Sequence, residues 1–304
     1  PGFSMYNDVI QYFFTWNSGT NNARFVIDSD TDFSGYGAAA SYVLKDVASS
    51  CPAADIHYSE SIRYGDASGS IFAPGEGWAC GTVSLGGGYN VPAPTNNVYT
   101  GPGAPLASIQ LKVTSNSNSP ANPDHHLRMS IGATSYTLVD SIFEGFQFHQ
   151  YDLSIPNGIL NSPTSNLVLQ SVNDLGSAAD LLSLTYWNIR YPRMTAAAGA
   201  GFDNFYVENN PNASKTLINL QSLTATNAIA FSFGSTNRVI PLSFDGSNWQ
   251  MLVTNNASGN LSYVTVGDIA TANSIASLSA VNGSGQFTDF SALSTEEAVL
   301  MVYH

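Results

Sequence analysis

Apolar side chains recur at every second position along most of this chain. In residues 107–115, Ile109, Leu111 and Val113 alternate with Gln110, Lys112 and Thr114, which puts one set on a buried sheet face and the other in water. Stretches equally rich in β-branched and aromatic residues cover 8–17, 23–28, 125–140, 145–155, 165–172 and 181–191, and each predicts a strand. No amphipathic helix is evident before residue 265, although residues 41–47 (SYVLKDV) leave room for one short helical turn. Without crossover helices a parallel α/β fold is excluded, and the pattern predicts an all-β sandwich architecture.

Turn chemistry divides the strands. The Asn157-Gly158 step predicts a tight turn, and residues 115–124 (SNSNSPANPD) are so polar and proline-rich that they read as an exposed loop. Small residues at 194–201 (MTAAAGAG) mark a boundary, either a linker or an edge crossing. Beyond it lies a second set of short strands, one of them folded into a hairpin at Asp245-Gly246. The expected organisation is a jelly-roll-like β-sandwich with N-terminal strands over residues 1–193, then a smaller, Ig-like β-sandwich over 194–288. Residues 289–304 are expected to begin a truncated downstream α/β domain, because the continuous apolar run at 298–302 suits a strand buried on both faces.

Size and charge narrow the classes. A chain of 304 residues is long enough for two domains, each with its own core. Its net charge of -13, with only nine Lys and Arg, argues against nucleic-acid binding, which needs clustered cations. No run reaches the roughly 20 apolar residues of a membrane-spanning helix. Low charge content with abundant Gly, Ser, Thr and Asn is the texture of an extracellular or periplasmic β protein.

Reactive residues are few. Cys51 and Cys80 are the only cysteines, and either a disulfide or two buried thiols fits them; no His stands at zinc-ligand spacing from either. His57, His125, His126, His149 and His304 read as turn or strand-face residues, and the chain carries no nucleophile elbow, zinc-peptidase helix or phosphate loop. Asp28, Asp30 and Asp32 have the one-three-five spacing of a calcium loop, but Phe33 and Ala39 stand where an EF-hand needs Gly and Glu. That leaves a solvated turn or a looser calcium site, and no other cofactor is expected. Trp16, Trp78, Trp187 and Trp249 fall in separate segments and read as core; Tyr36, Trp78, Tyr89 and Tyr99 exposed and coplanar on one rim would instead mark a glycan-binding face.

Three phrases carry a family resemblance. Tyr12, Phe13, Phe14, Thr15 and Trp16 near the start, Tyr191, Pro192 and Arg193 at the end of a long apolar strand, and residues 297–304 (EAVLMVYH) after the second β region resemble the order of elements ahead of the peptidase domain in gingipain-type (C25) cysteine peptidases. Sortase-like members of the type IX secretion system are the most similar. The resemblance implies a non-catalytic fragment of a secreted or cell-surface bacterial peptidase. Its catalytic His and Cys would lie downstream, so no catalytic residue transfers to this chain. The implied partners are the downstream peptidase domain, and beyond it secretion-machinery proteins or a cell-surface glycan; the alternative from residue chemistry is a carbohydrate-binding module of a secreted bacterial protein. Pro192 lacks an N–H and is expected to end strand pairing, leaving Arg190 and Arg193 to clamp carboxylates of the next domain.

Overall fold

A computed structural model of the protein describes residues 25–48, 55–57, 77–197, 201–271 and 279–280, with the backbone alone at 55–57, 77 and 78. In chain order the strands are β1 (Val26–Ile27), β2 (Tyr42–Ala48), β3 (Asp55–His57), β4 (Gly77–Ala79), β5 (Gly81–Ser84), β6 (Gly88–Ala93) and β7 (Ala107–Ser115). They continue with β8 (His125–Ile131), β9 (Tyr136–Phe143), β10 (Phe148–Ile155), β11 (Ser165–Ser171), β12 (Leu181–Met194) and β13 (Phe202–Glu208). The last are β14 (Lys215–Leu220), β15 (Ala228–Phe233), β16 (Arg238–Pro241), β17 (Ser243–Phe244), β18 (Trp249–Thr254) and β19 (Leu261–Asp268). The protein is all-β, as the alternation requires.

One sheet of ten strands runs through the molecule in the order β1-β16-β15-β19-β13-β2-β12-β7-β10, with β5 also paired to β12. It carries two smaller sheets, β6-β11-β8-β9 and β14-β18-β17. The first core forms where Ile109, Leu111, Trp187 and Ile189 of the large sheet meet Leu127, Met129, Leu167 and Leu169 of the four-stranded sheet. In the second, Val43, Phe205, Ala230, Val264 and Val266 meet Ile218, Leu220, Met251 and Val253. Each large side chain so buried contributes about 1.5–3 kcal/mol, so the two cores outweigh the polar contacts described below.

Three expectations are corrected. Residues 41–47 form strand β2, not a helical turn: both faces are covered, with Val43 in the second core and Leu44 beneath the opposite face, and β2 lies between β12 and β13. Residues 116–124 form a loop exposed only in part: Asn118, Pro120, Asn122 and Pro123 face solvent, while Asn116, Ser117, Ser119 and Asp124 are buried. Much of their polarity is met internally: Asn116 donates to Ser183 Oγ, although its own Oδ1 has no hydrogen-bond partner, Leu181 N–H donates to Ser117 Oγ, and Asp124 accepts the N–H groups of Ser119 and Gly145.

Pairing also continues through Pro192, because Pro192, Arg193 and Met194 face Leu44, Val43 and Tyr42 of β2. In a strand the N–H and C=O of one residue point the same way. The Pro192 carbonyl accepts from Tyr99 N–H, so the missing donor faces the 97–99 segment, beyond the last β7 pairing at Arg190↔Ser108. Proline therefore costs β2 no ladder bond. At the small-residue boundary, Ala196 bridges Gln221 and Ala197 is buried in the second core, so residues 194–197 are an edge crossing. The expected strand at 8–17 and the expected downstream start at 289–304 lie outside the described residues.

Candidate functional site

The seam between the two cores holds a buried polar cluster. β12 ends on it, β2 runs along it and β13 starts from it, so side chains from three strands converge. Arg193 grips Asp203 through two parallel hydrogen bonds, Nη1 to Oδ1 at 3.0 Å and Nη2 to Oδ2 at 2.5 Å, with both side chains buried (3% and 6% exposed). Lys45 approaches the same carboxylate at 3.2 Å and donates to the Asn204 carbonyl at 2.7 Å; burial holds its ammonium below the usual lysine range, against the pull of Asp203. On the other face of the sheet Arg190 forks onto Asp46 of β2 at 2.6 and 2.7 Å, and its guanidinium lies 4.3 Å from the centre of the Tyr206 ring. Tyr191, fully buried in the first core, donates its hydroxyl to the Asn96 carbonyl. Arg193 Nε is buried without a hydrogen-bond partner, while the guanidinium's two outer nitrogens, Lys45, Arg190 and Tyr191 each meet an acceptor, an arrangement that fixes geometry.

A second cluster closes one end of the first sandwich. His125 Nε2 lies 3.0 Å from the Ser117 carbonyl and Nδ1 lies 2.6 Å from the Asp180 carboxyl, a pair of acceptors that favours the doubly protonated ring. Burial opposes that charge, but the hydrogen bond to Asp180 and the fields of Asp180 and Asp124 outweigh it and raise the pKa. Its neighbour His126 stands between Asp174 (2.9 Å) and Asp140 (2.6 Å), and the same balance raises its pKa. Ser171, Asp180 and His125 form a hydrogen-bonded chain in the wrong order for acyl transfer, since Ser171 donates to Asp180 and not to the imidazole. All three are buried from solvent.

The acidic run is tied down by a lysine. Lys215 of β14 donates to Asp28 at 2.7 Å and lies 3.0 Å from Asp30, while Thr254 donates to the other Asp28 oxygen. The Tyr36 hydroxyl and then Lys215 hold the Asp30 carboxyl down at about 2, and Asp28 is also lowered: burial works the other way but is outweighed by Lys215 and Thr254. Asp32 donates its N–H to the Asp30 carboxylate at 3.1 Å, while its own carboxylate caps the turn at Ser34. A calcium ion would have to displace the Lys215 ammonium, so millimolar calcium is expected to leave the melting temperature unchanged; a rise of several degrees would show that the ion wins. Among the described residues, no group of three or more His, Cys, Asp or Glu side chains is arranged for a metal.

The remaining candidates fall apart in space. Tyr36 bonds Asp30, Tyr89 packs on the first core with its hydroxyl on the Cys80 carbonyl, and Tyr99 stacks on Tyr42, so these three rings share no face; the Trp78 side chain lies outside the described residues. Cys80 is buried and disulfide-bonded, while Cys51 lies outside the described residues. Nothing in the sequence singles out Asp203 and Asp46 as partners of the arginines, or the aspartates around His125 and His126. Only the adjacency of Asp124 to His125 was visible in the sequence, since Asp180 is 55 residues away and Asp46 is 144 from Arg190.

The fold and the seam define an all-β protein in which two sandwiches share one sheet. Comparison with solved structures finds the same fold in the crystal structure of dimeric latent PorU from Porphyromonas gingivalis, with a TM-score of 0.53 at 11% identity. The match covers 79% of this chain but 21% of that one, so this chain spans about a fifth of the length of the protein it resembles. A CBM36-1 domain of a multidomain xylanase from the hindgut metagenome of Trinervitermes trinervoides also matches, over 48% of this chain and 95% of that domain, at 15% identity and a TM-score of 0.26. No family model and no curated protein matches the sequence.

Proposed function

We propose that this chain is the non-catalytic β-sandwich region of a secreted or cell-surface bacterial cysteine peptidase of the gingipain type, and that it supports and positions the peptidase domain that follows it. The observation that carries this reading is the construction of the seam. Two cores on one continuous sheet, joined by a buried Arg193–Asp203 fork, make a scaffold in which, among the described residues, no reactive group is exposed at the join. The phrases at Tyr12–Trp16 and Tyr191–Arg193 and the fold shared with part of PorU point the same way. No helix among the described residues is long and apolar enough to cross a membrane.

The test is to label the intact protein with a thiol-reactive peptidase probe and map the modified residue by mass spectrometry. The expected label lies on a cysteine beyond residue 304. A label on Cys80, or none on any cysteine of a catalytically competent protein, overturns the reading. Glycan-array binding with micromolar affinity in the same preparation would favour the carbohydrate-binding alternative.

A further inference from the structure

Behind the second core, the outward face of β1, β16, β15 and β19 is aromatic and uncharged, and the Arg190–Asp46 pair bounds it at Tyr206. Strand register puts Phe233, Tyr263 and Tyr206 in one row, and Ile27, Val239, Phe231 and Thr265 in the next. Phe25 sits over both rows, 5.4 Å from Phe231 and 5.7 Å from Phe233. From β1 to β19 the outward positions of these strands hold no charged side chain. Ile27 is 73% exposed, Phe202 57%, Phe25 41% and Phe233 36%, so this is a contiguous open patch and not the rim of a core.

We infer that this face is the docking surface for the peptidase domain, an inference that rests on the function proposed above. Three observations select that occupant. β19 leaves the sheet next to Phe202, which lies against Gly267, and the turn that follows exposes Ile269, so the polypeptide continues from the edge of the patch. The rings are steeply tilted to one another, by 77° and 83° around Phe25, which forms sockets for apolar side chains and no flat platform for a sugar ring. A second copy would bring another 13 negative charges against the first, whereas a domain in the same polypeptide arrives at high effective concentration.

Hydroxyl-radical footprinting of the intact protein, diluted until it is monomeric, reads this directly. Phe148, Tyr136 and Phe244, exposed to 36%, 38% and 54%, serve as references of similar accessibility elsewhere on the molecule. Phe25, Phe202 and Phe233 are expected to react at least about fivefold more slowly than those references, because docked aromatic side chains are excluded from water. Equal reactivity overturns the docking surface. If the thiol probe still maps beyond residue 304 in that case, the docking inference fails while the proposed function stands. Protection that disappears on dilution assigns the face to a second copy and also overturns the inference, as does protection in a protein with no peptidase domain after residue 304.

Discussion

Replacing Arg193 by methionine is expected to remove about 3 kcal/mol of stability, the lower end of the cost of stranding one member of a buried ion pair. The Asp203 carboxylate is 6% exposed and would keep only Lys45, at 3.2 Å, as its cation. Arg193→Lys keeps the charge but cannot reproduce the two parallel bonds, and is expected to lose less. The paired change Arg193→Met with Asp203→Leu is expected to recover most of the loss, because no bare charge then remains under the sheet. Urea unfolding followed at Trp187 in the first core and Trp249 beside the second separates the cases. With the shared sheet intact both probes should report one transition; a loss below about 1 kcal/mol would mean that the pair is solvated.

The histidine cluster makes the second large effect, and its sign follows from linkage. His125 and His126 have raised pKa values in the folded protein. Their contribution is therefore complete below the unfolded value of about 6.5 and is lost as pH rises through the folded values. His149 acts in the opposite direction: burial, then the charge of His125, lowers its pKa, so it penalises the fold as pH falls below about 6.5. Two raised groups against one lowered group predict unfolding free energy that declines above neutral pH. Free energies from urea titrations between about pH 6 and 9 should show the decline, and a flat or rising profile would show neutral rings. His125→Asn is expected to abolish much of that slope and to cost about 3 kcal/mol, since Asp180, 0% exposed, loses its cation.

The strands were legible because burial on one face forces a two-residue period. β7 is the clearest instance, with Ile109, Leu111 and Val113 fully buried where the alternation put them. The Asp245-Gly246 hairpin was legible for a local reason: Gly246 takes a φ of +100° and Asp245 accepts the N–H groups of Ser247 and Asn248, all within four residues. β2 was not legible as a strand. A seven-residue segment covered on both faces loses its alternation, and its neighbours β12 and β13 arrive about 150 residues later in the chain.

The site shows the same division more sharply. The sequence supplied the arginines at 190 and 193 and the scarcity of basic residues that made them conspicuous, but a lone cation does not name its carboxylate. Asp203 and Asp46 are assigned by strand register, and so is the emergence of Phe25, Phe231, Phe233 and Tyr263 on one uncharged face. By itself the sequence determined that this chain folds as layered sheets, because alternation is a local property that survives in one dimension. That two sandwiches share one sheet, and which charges meet across its seam, was decided only when distant strands paired, since hydrogen-bonded register is a relation between segments and is written in neither of them alone.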